Sequence, residues 1–546
     1  MRHFVYMVLF CGLFGFSGMA FGQDYYAIHF KFKPQDNYSL DEPSGFLSNK
    51  ALERKARFSL EPDSLDMPVS QRYISDIQPF ILDNLYNTNW LNAAIVLADP
   101  AQIPLISGLP FVEKVVYVKP GSHVSGRMER TKDKFRDLET NVSPAGQRVA
   151  FESQNSMLGV EKMHEAGFKG RNVTIAVFDA GFQGVDTLSA FKNIYAAGRM
   201  VGTRNFVNPD LDNVHTSHQH GTNVLSLIGA DIPSQMVAGA PEASYILCLT
   251  EDVRTEFIIE EYNWVRAAEY ADSLGVDIIN SSLGYLDFDD PRMDYTADDL
   301  DGETAIITQG ANIASDKGIL VVNSAGNYGR RGLSSIVAPA DARGMLSVGG
   351  VNQEEERADF SSQGPTADGR IKPELAALGQ SVYLLGPNGQ AYLSQGTSFA
   401  APQIAALAAG LWEAKPEWSK DELIDYLLRS SSQSDAPDNQ IGHGIPDFMK
   451  AYYGEILSVP TLREPVEWSL YPNPMIGNEL FIRFGNEEMA HFTLFDISGR
   501  EMIRLDLSRA STREPFFIQL PNLIAGIYVV EIRSAAGVKR ERVIRR

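Results

Sequence analysis

The middle of the chain is marked by short, mostly apolar runs: 173–178, 244–249, 277–282, 319–323 and 345–351. They are too short for helices and lack the polar alternation of a half-exposed strand, so each reads as a strand buried on both faces. Between them lie stretches with helical spacing, among them 256–274 and 311–317. Strands alternating with helices predict an α/β fold, a parallel sheet with crossover helices on both faces.

On either side the pattern changes. Residues 25–32 alternate polar and apolar, and 46–58 carry helical spacing with many charges, which predicts a small α+β unit. Residues 120–148 are rich in charge, serine and glycine and read as an exposed linker. From Trp468 onward, short alternating strands separated by turn residues predict a small β-sandwich. At the start, Arg2, an apolar core and the small residues of Ala20-Phe21-Gly22 predict a cleaved export signal. The expected organisation is therefore signal 1–22, N-terminal unit 23–119, linker 120–150, α/β domain 151–455, linker 456–467 and β-domain 468–546.

The net charge of −21 argues against a nucleic-acid partner, because phosphate binding needs a basic surface. No apolar stretch after the signal is long enough to span a membrane. Of two cysteines, Cys11 leaves with the signal and Cys248 reads as a small core hydrophobe, so the mature chain has no internal disulfide.

Candidate chemistry lies at the ends of the apolar runs. Gly396-Thr397-Ser398-Phe399-Ala400-Ala401-Pro402 sets a serine just before a long run of helix formers. Unpaired N–H groups at a helix start would stabilise an oxyanion beside Ser398, and Pro402 is expected in the first turn, where no N–H is needed. Serine and threonine are also ordinary N-caps, so this stretch alone leaves capping open. Asp179 ends a predicted strand, where ligands of α/β sheets bind and where a turn aspartate is equally common. His220 leads into another helix, and His215, His218 and His220 could alternatively form a metal cluster.

Asp179, His220 and Ser398 occur in the order Asp…His…Ser, which differs from the chymotrypsin and α/β-hydrolase orders. With the strand-glycine-asparagine segment ending in Asn327, they resemble the subtilisin-like serine proteases from about Asn155 to Tyr452. The resemblance implies that Ser398 is the nucleophile, His220 its base and Asp179 the group that orients His220. It further implies that Asn327 lines the oxyanion hole and that Ser282, Leu283 and Gly284 line the primary substrate pocket. No cofactor is required for bond cleavage. The acidic loop 287–303 could hold calcium but lacks EF-hand spacing, which favours a solvated loop. Ala180, Asn223 and Phe399 stand where the family commonly has threonine or serine, histidine and methionine.

The N-terminal unit resembles the propeptide of bacteroidete subtilisin-like proteases. The C-terminal segment, with Leu470-Tyr471-Pro472-Asn473-Pro474 and a basic end, resembles the sorting domain of the type nine secretion system. Together these imply a secreted serine endopeptidase made as a zymogen. Its partners would be protein or peptide substrates, its own propeptide and the secretion machinery. The alternative is a surface interaction protein that keeps a catalytically dead subtilisin fold.

Overall fold

The computed structural model describes residues 22–35, 37–121, 144–211, 213–233, 235–457, 469–475, 477–483, 489–497, 500–509, 515–534 and 537–546. The expected signal, most of the first linker and most of the second lie outside them. The chain forms two compact units, Met1–Gly454 and Glu455–Arg546.

The centre of the first unit is a seven-stranded parallel sheet. In spatial order its strands are Leu375–Leu378, Leu346–Val351, Leu320–Ser324, Ile278–Ser281, Thr174–Asp179, Ser244–Leu249 and Met200–Asn205. Both faces are covered, which explains the continuous apolar runs. Along Thr174–Asp179, Ile175 and Val177 enter one core while Ala176 and Phe178 enter the other. The first core contains the helices His220–Gly229 and Thr397–Ala414; the second contains Ile259–Ser273 and Ile306–Asp316.

The helix expected over 311–317 starts five residues earlier, at Ile306. Its side-chain cap is tertiary: Glu261 Oε2, from the neighbouring helix, accepts from Ile307 N at 3.0 Å. Burial pushes the Glu261 carboxyl up to about 8 despite that bond and one from Tyr295. Such a cap leaves no mark in the local sequence.

Ahead of this domain, β1 (Asp24–Phe30), β2 (Asp83–Thr88), β3 (Ala93–Ala98) and β4 (Val112–Pro120) form an antiparallel sheet in the order β2-β3-β1-β4. Its strands alternate between two cores, but both faces are covered. Ala27, Ile95 and Val118 join the core around Ile259–Ser273, while Ile28, Ala94 and Val96 pack with Ile74 and Ile77. Helix α1 (Asn49–Arg57) precedes β2 and is capped by Ser48, whose side chain accepts from Ala51 N.

In the second unit, a three-stranded and a four-stranded antiparallel sheet enclose one core, with Leu480, Ile482 and Phe516 from the first and Phe492, Val530 and Ile532 from the second. Among the described residues, no helix is long and apolar enough to cross a membrane.

Candidate active site

The carboxyl edge of the parallel sheet gathers the candidate residues. Asp179 ends its strand fully buried, and its Oδ1 accepts from Ala180 N at 2.7 Å. His220 opens the helix His220–Gly229, and its Nδ1 lies 2.8 and 3.0 Å from Asp179 Oδ1 and Oδ2. A carboxylate there selects the tautomer with hydrogen on Nδ1, which leaves Nε2 able to accept a proton. Gly221 permits the approach: a Cβ at this position would stand 2.4 Å from Gly181 O and 2.9 Å from Asp179 Cβ.

Ser398 is the second residue of the helix Thr397–Ala414, where backbone N–H groups have no intrahelical acceptor. Its Oγ donates to Ser282 O at 3.3 Å, and Ser282 Oγ donates back to Ser398 O at 2.8 Å. The following residue, Phe399, brings its ring to 5.6 Å from the His220 ring. Pro402 is not in the first turn as expected, because the helix begins at Thr397 and makes it the sixth residue. An ordinary residue there would donate to Ser398 O; proline cannot.

Asn327 follows the strand Leu320–Ser324 and is exposed. Its Oδ1 accepts from both Thr397 N and Thr397 Oγ1, each at 3.0 Å. With its oxygen held this way, the amide presents Nδ2 as its donor end, beside Gly396. Thr397 Oγ1 also accepts from Gly326 N at 3.2 Å. Thr397 is thus the support for Asn327 that sequence reasoning missed; its place just before Ser398 was the available signal.

Ser282, Leu283 and Gly284 continue from the strand Ile278–Ser281 beside Ser398. The Leu283 side chain enters the core, and its carbonyl accepts from Asn323 Nδ2 at 3.0 Å, so it offers no side chain to a pocket. Gly284 has no room for one: a Cβ would meet Val337 Cγ2 at 2.2 Å.

The three histidines do not converge. His215 Nδ1 lies 3.4 Å from Phe182 O, His218 Nδ1 accepts from His220 N at 3.1 Å, and His220 pairs with Asp179. The carboxylates of the acidic loop find partners in the protein: Asp287 pairs with Arg331, Asp289 accepts from Glu256 N, Asp290 binds Arg292, Asp294 accepts from Phe288 N, and Asp301 accepts from Glu303 N and Thr304 N. Among the described residues, the group with a metal-like cluster of ligand atoms is instead Glu251, Glu256 and Glu260. Tyr285 Oη donates to Glu251, and burial followed by these carboxylates raises its pKa well above the ordinary value. Next in the chain, burial would raise the Asp252 carboxyl, but bonds from Arg254 and the nearby Lys119 outweigh it and hold it at about 2. Cys248 is fully buried, which pushes its thiol well above the usual range and suits a packing residue.

The chain is similar to known proteins over each of these regions. Residues 170–444 match the subtilase family, 25–134 match the "Peptidase S8 propeptide domain, Bacteroidota" and 469–546 match the "Secretion system C-terminal sorting domain". Subtilisin amylosacchariticus of Bacillus subtilis subsp. amylosacchariticus is 31% identical over 276 residues, covering 50% of this chain and 64% of that protein. Subtilisin of Bacillus pumilus is 30% identical over 274 residues, covering 50% of this chain and 88% of that protein. Among solved structures, the epidermin leader peptide processing serine protease EpiP of Staphylococcus aureus aligns with a TM-score of 0.53 at 16% identity. That alignment covers 79% of this chain and 98% of EpiP, and it shows likeness of fold. With a family match across the whole parallel-sheet core and these relatives, the chain belongs to the subtilase family.

Proposed function

We propose that this chain is a secreted serine endopeptidase, made as a zymogen, that hydrolyses peptide bonds of protein or peptide substrates through an acyl-enzyme. The observation that carries this reading is the buried carboxylate of Asp179 on His220 Nδ1, at 2.8 Å. It poises the far nitrogen of the ring to take the Ser398 proton during attack on the scissile carbonyl. Ser398 Oγ exchanges its 3.3 Å bond to Ser282 O for that transfer. The tetrahedral oxygen then receives hydrogen bonds from Asn327 Nδ2 and Ser398 N. His220 next gives its proton to the departing amine, and water releases the acyl group by the same steps in reverse.

An extended substrate docks by strand addition along Ser282–Gly284, whose contribution is main chain. Residues 23–119 act as the inhibitory propeptide on the 151–455 catalytic domain, with 120–150 as the processing region. Residues 468–546 address the chain to a secretion system, which removes them in transit. Purified mature enzyme tests the catalytic reading. It takes up a serine-directed fluorophosphonate and degrades an unstructured protein, whereas Ser398→Ala does neither; full hydrolysis by that variant overturns the assignment.

A further inference from the structure

The carboxyl edge of the sheet holds the candidate catalytic residues, yet α1 and the chain that follows it lie at the opposite edge. Thr174, whose side chain accepts from Lys50, begins the strand that Asp179 ends, about 16 Å away at five strand steps. Ser48 N donates to Ser273 O at 3.0 Å, Arg54 Nη1 donates to Val276 O at 2.6 Å, and Arg54 Nη2 pairs with Asp272. These cations and donors lie at the C-terminal end of the helix Ile259–Ser273, where carbonyls lack partners and the helix dipole favours positive charge.

The contact is reciprocal in charge. The arm gives Arg54 to Asp272 of the catalytic domain, and the domain gives Lys317 back to Asp66 of the arm at 2.7 Å and to Asp63 at 3.2 Å. Lys55 sits between them, 3.4 Å from Asp66 and 4.0 Å from Asp272. Arg54, Lys55, Asp66, Asp272 and Lys317 are each no more than 5% exposed. Charges so deeply buried are tolerated when each finds its opposite, and removing one partner leaves the other stranded. Shape agrees with charge. Gly275, at φ +75°, admits the α1 backbone, since a Cβ there would lie 2.7 Å from Ala51 N. Beyond α1, Phe58 packs on Trp412 with ring centroids 6.1 Å apart, and Arg57 lies over Phe58 at 4.5 Å.

We propose that the catalytic domain carries a second recognition site, at the amino edge of its parallel sheet and separate from the cleft, built for a basic helix followed by an aromatic residue and acidic residues, and that residues 48–66 of this chain fill it in the precursor. The inference rests on the propeptide reading of the N-terminal unit. Its consequence is that cutting the processing region frees the end of the propeptide but not the arm. The cut fragment is then held by this site in addition to the packing of its sheet on Ile259–Ser273.

The test uses the full chain carrying Ser398→Ala, so that no step depends on its catalysis, with a site-specific protease sequence placed within residues 122–143. After cutting, the fragment co-elutes with the catalytic domain at low salt. Adding Arg54→Ala and Lys55→Ala weakens its retention by about 10²-fold, as expected when one side of a buried charge pair is removed. Should that chain fail to fold, Asp272→Asn on the other side carries the same expectation. Retention within threefold of the parent in the folded variants overturns the proposal. Because the parent is already inactive, failure of the protease reading would show separately, as missing hydrolysis by the unmutated chain.

Discussion

Ser282 and Ser398 hold each other reciprocally: Ser282 Oγ donates to the Ser398 carbonyl at 2.8 Å, and Ser398 Oγ donates to the Ser282 carbonyl at 3.3 Å. The first bond supplies the donor that Pro402 withholds four residues further along the helix. The second ties the candidate nucleophile to the segment expected to hold substrate. Ser282→Ala keeps the second bond's acceptor but removes the first bond, which fixes the backbone of Ser398, and should affect both stability and chemistry. Leaving a buried carbonyl without a donor costs about 1–3 kcal/mol. Thermal unfolding should show that loss, and steady-state kinetics should show a drop in kcat larger than any change in KM.

Asn327→Gly removes the proposed oxyanion donor while leaving Ser398 in place. Turnover should fall by roughly 10² to 10³, the magnitude known for the amide of subtilisin itself, with fluorophosphonate labelling retained. Thr397→Val removes the hydroxyl that holds Asn327 Oδ1, and a smaller loss in kcat should follow. Equal activity of Asn327→Gly and parent in a peptide assay would refute the role.

His29 gives the propeptide contact a pH dependence. Its Nε2 lies 2.8 Å from Tyr262 Oη of the catalytic domain, and Lys114 faces it across the β1–β4 pairing. Burial, then Lys114, lowers its pKa from the ordinary 6.5 to about 4. Docking against Tyr262 adds to that burial, so the docked form binds fewer protons than the released form and acid favours release. Glu269, buried beneath Thr88 and Trp90 with its carboxyl raised by burial, works in the opposite sense. The measurement is thus a difference: retention of the cut fragment should weaken more steeply from pH 6.5 to 4 in the parent than in His29→Gln. Parallel curves would exclude His29.

Phe399 is fully buried with its ring beside His220. A methionine at this place can oxidise to a bulky polar sulfoxide, whereas phenylalanine has no sulfur. The enzyme should keep most of its activity in peroxide that inactivates Phe399→Met. Residual hydrolysis after matched treatment checks this, and equally rapid loss in both would refute it.

Removing residues 468–546 should leave peptide hydrolysis intact, since the first compact unit ends at Gly454. The truncated chain should accumulate in the periplasm of a host that uses this kind of sorting domain. Fractionation that finds normal amounts outside the cell would refute the sorting role.

The sheet was legible because buried parallel strands write themselves as apolar runs. The strand at Ser244–Leu249 was read to the residue, and Thr174–Asp179 to within one. Asp179 and His220, 41 residues apart, meet because each stands at the carboxyl edge of that sheet. What stayed hidden depends on contacts across the fold. The start of the helix Ile306–Asp316 is set by Glu261, and the orientation of Asn327 is set by Thr397, 70 residues away. Nor does helical spacing over 46–58 reveal that α1 packs on the far edge of another domain.

Cys248 lends itself to experiment. From residue 23 onward it is the sole thiol of the chain, and its fully buried, protonated state on the strand Ser244–Leu249 keeps it silent toward alkylating reagents. A cysteine introduced at an exposed position thus becomes a unique attachment point with no prior substitution of the native one. A fluorophore placed at Glu53, on α1, would follow the departure of the arm in real time against Trp264, Trp412 and Trp418, which stay behind.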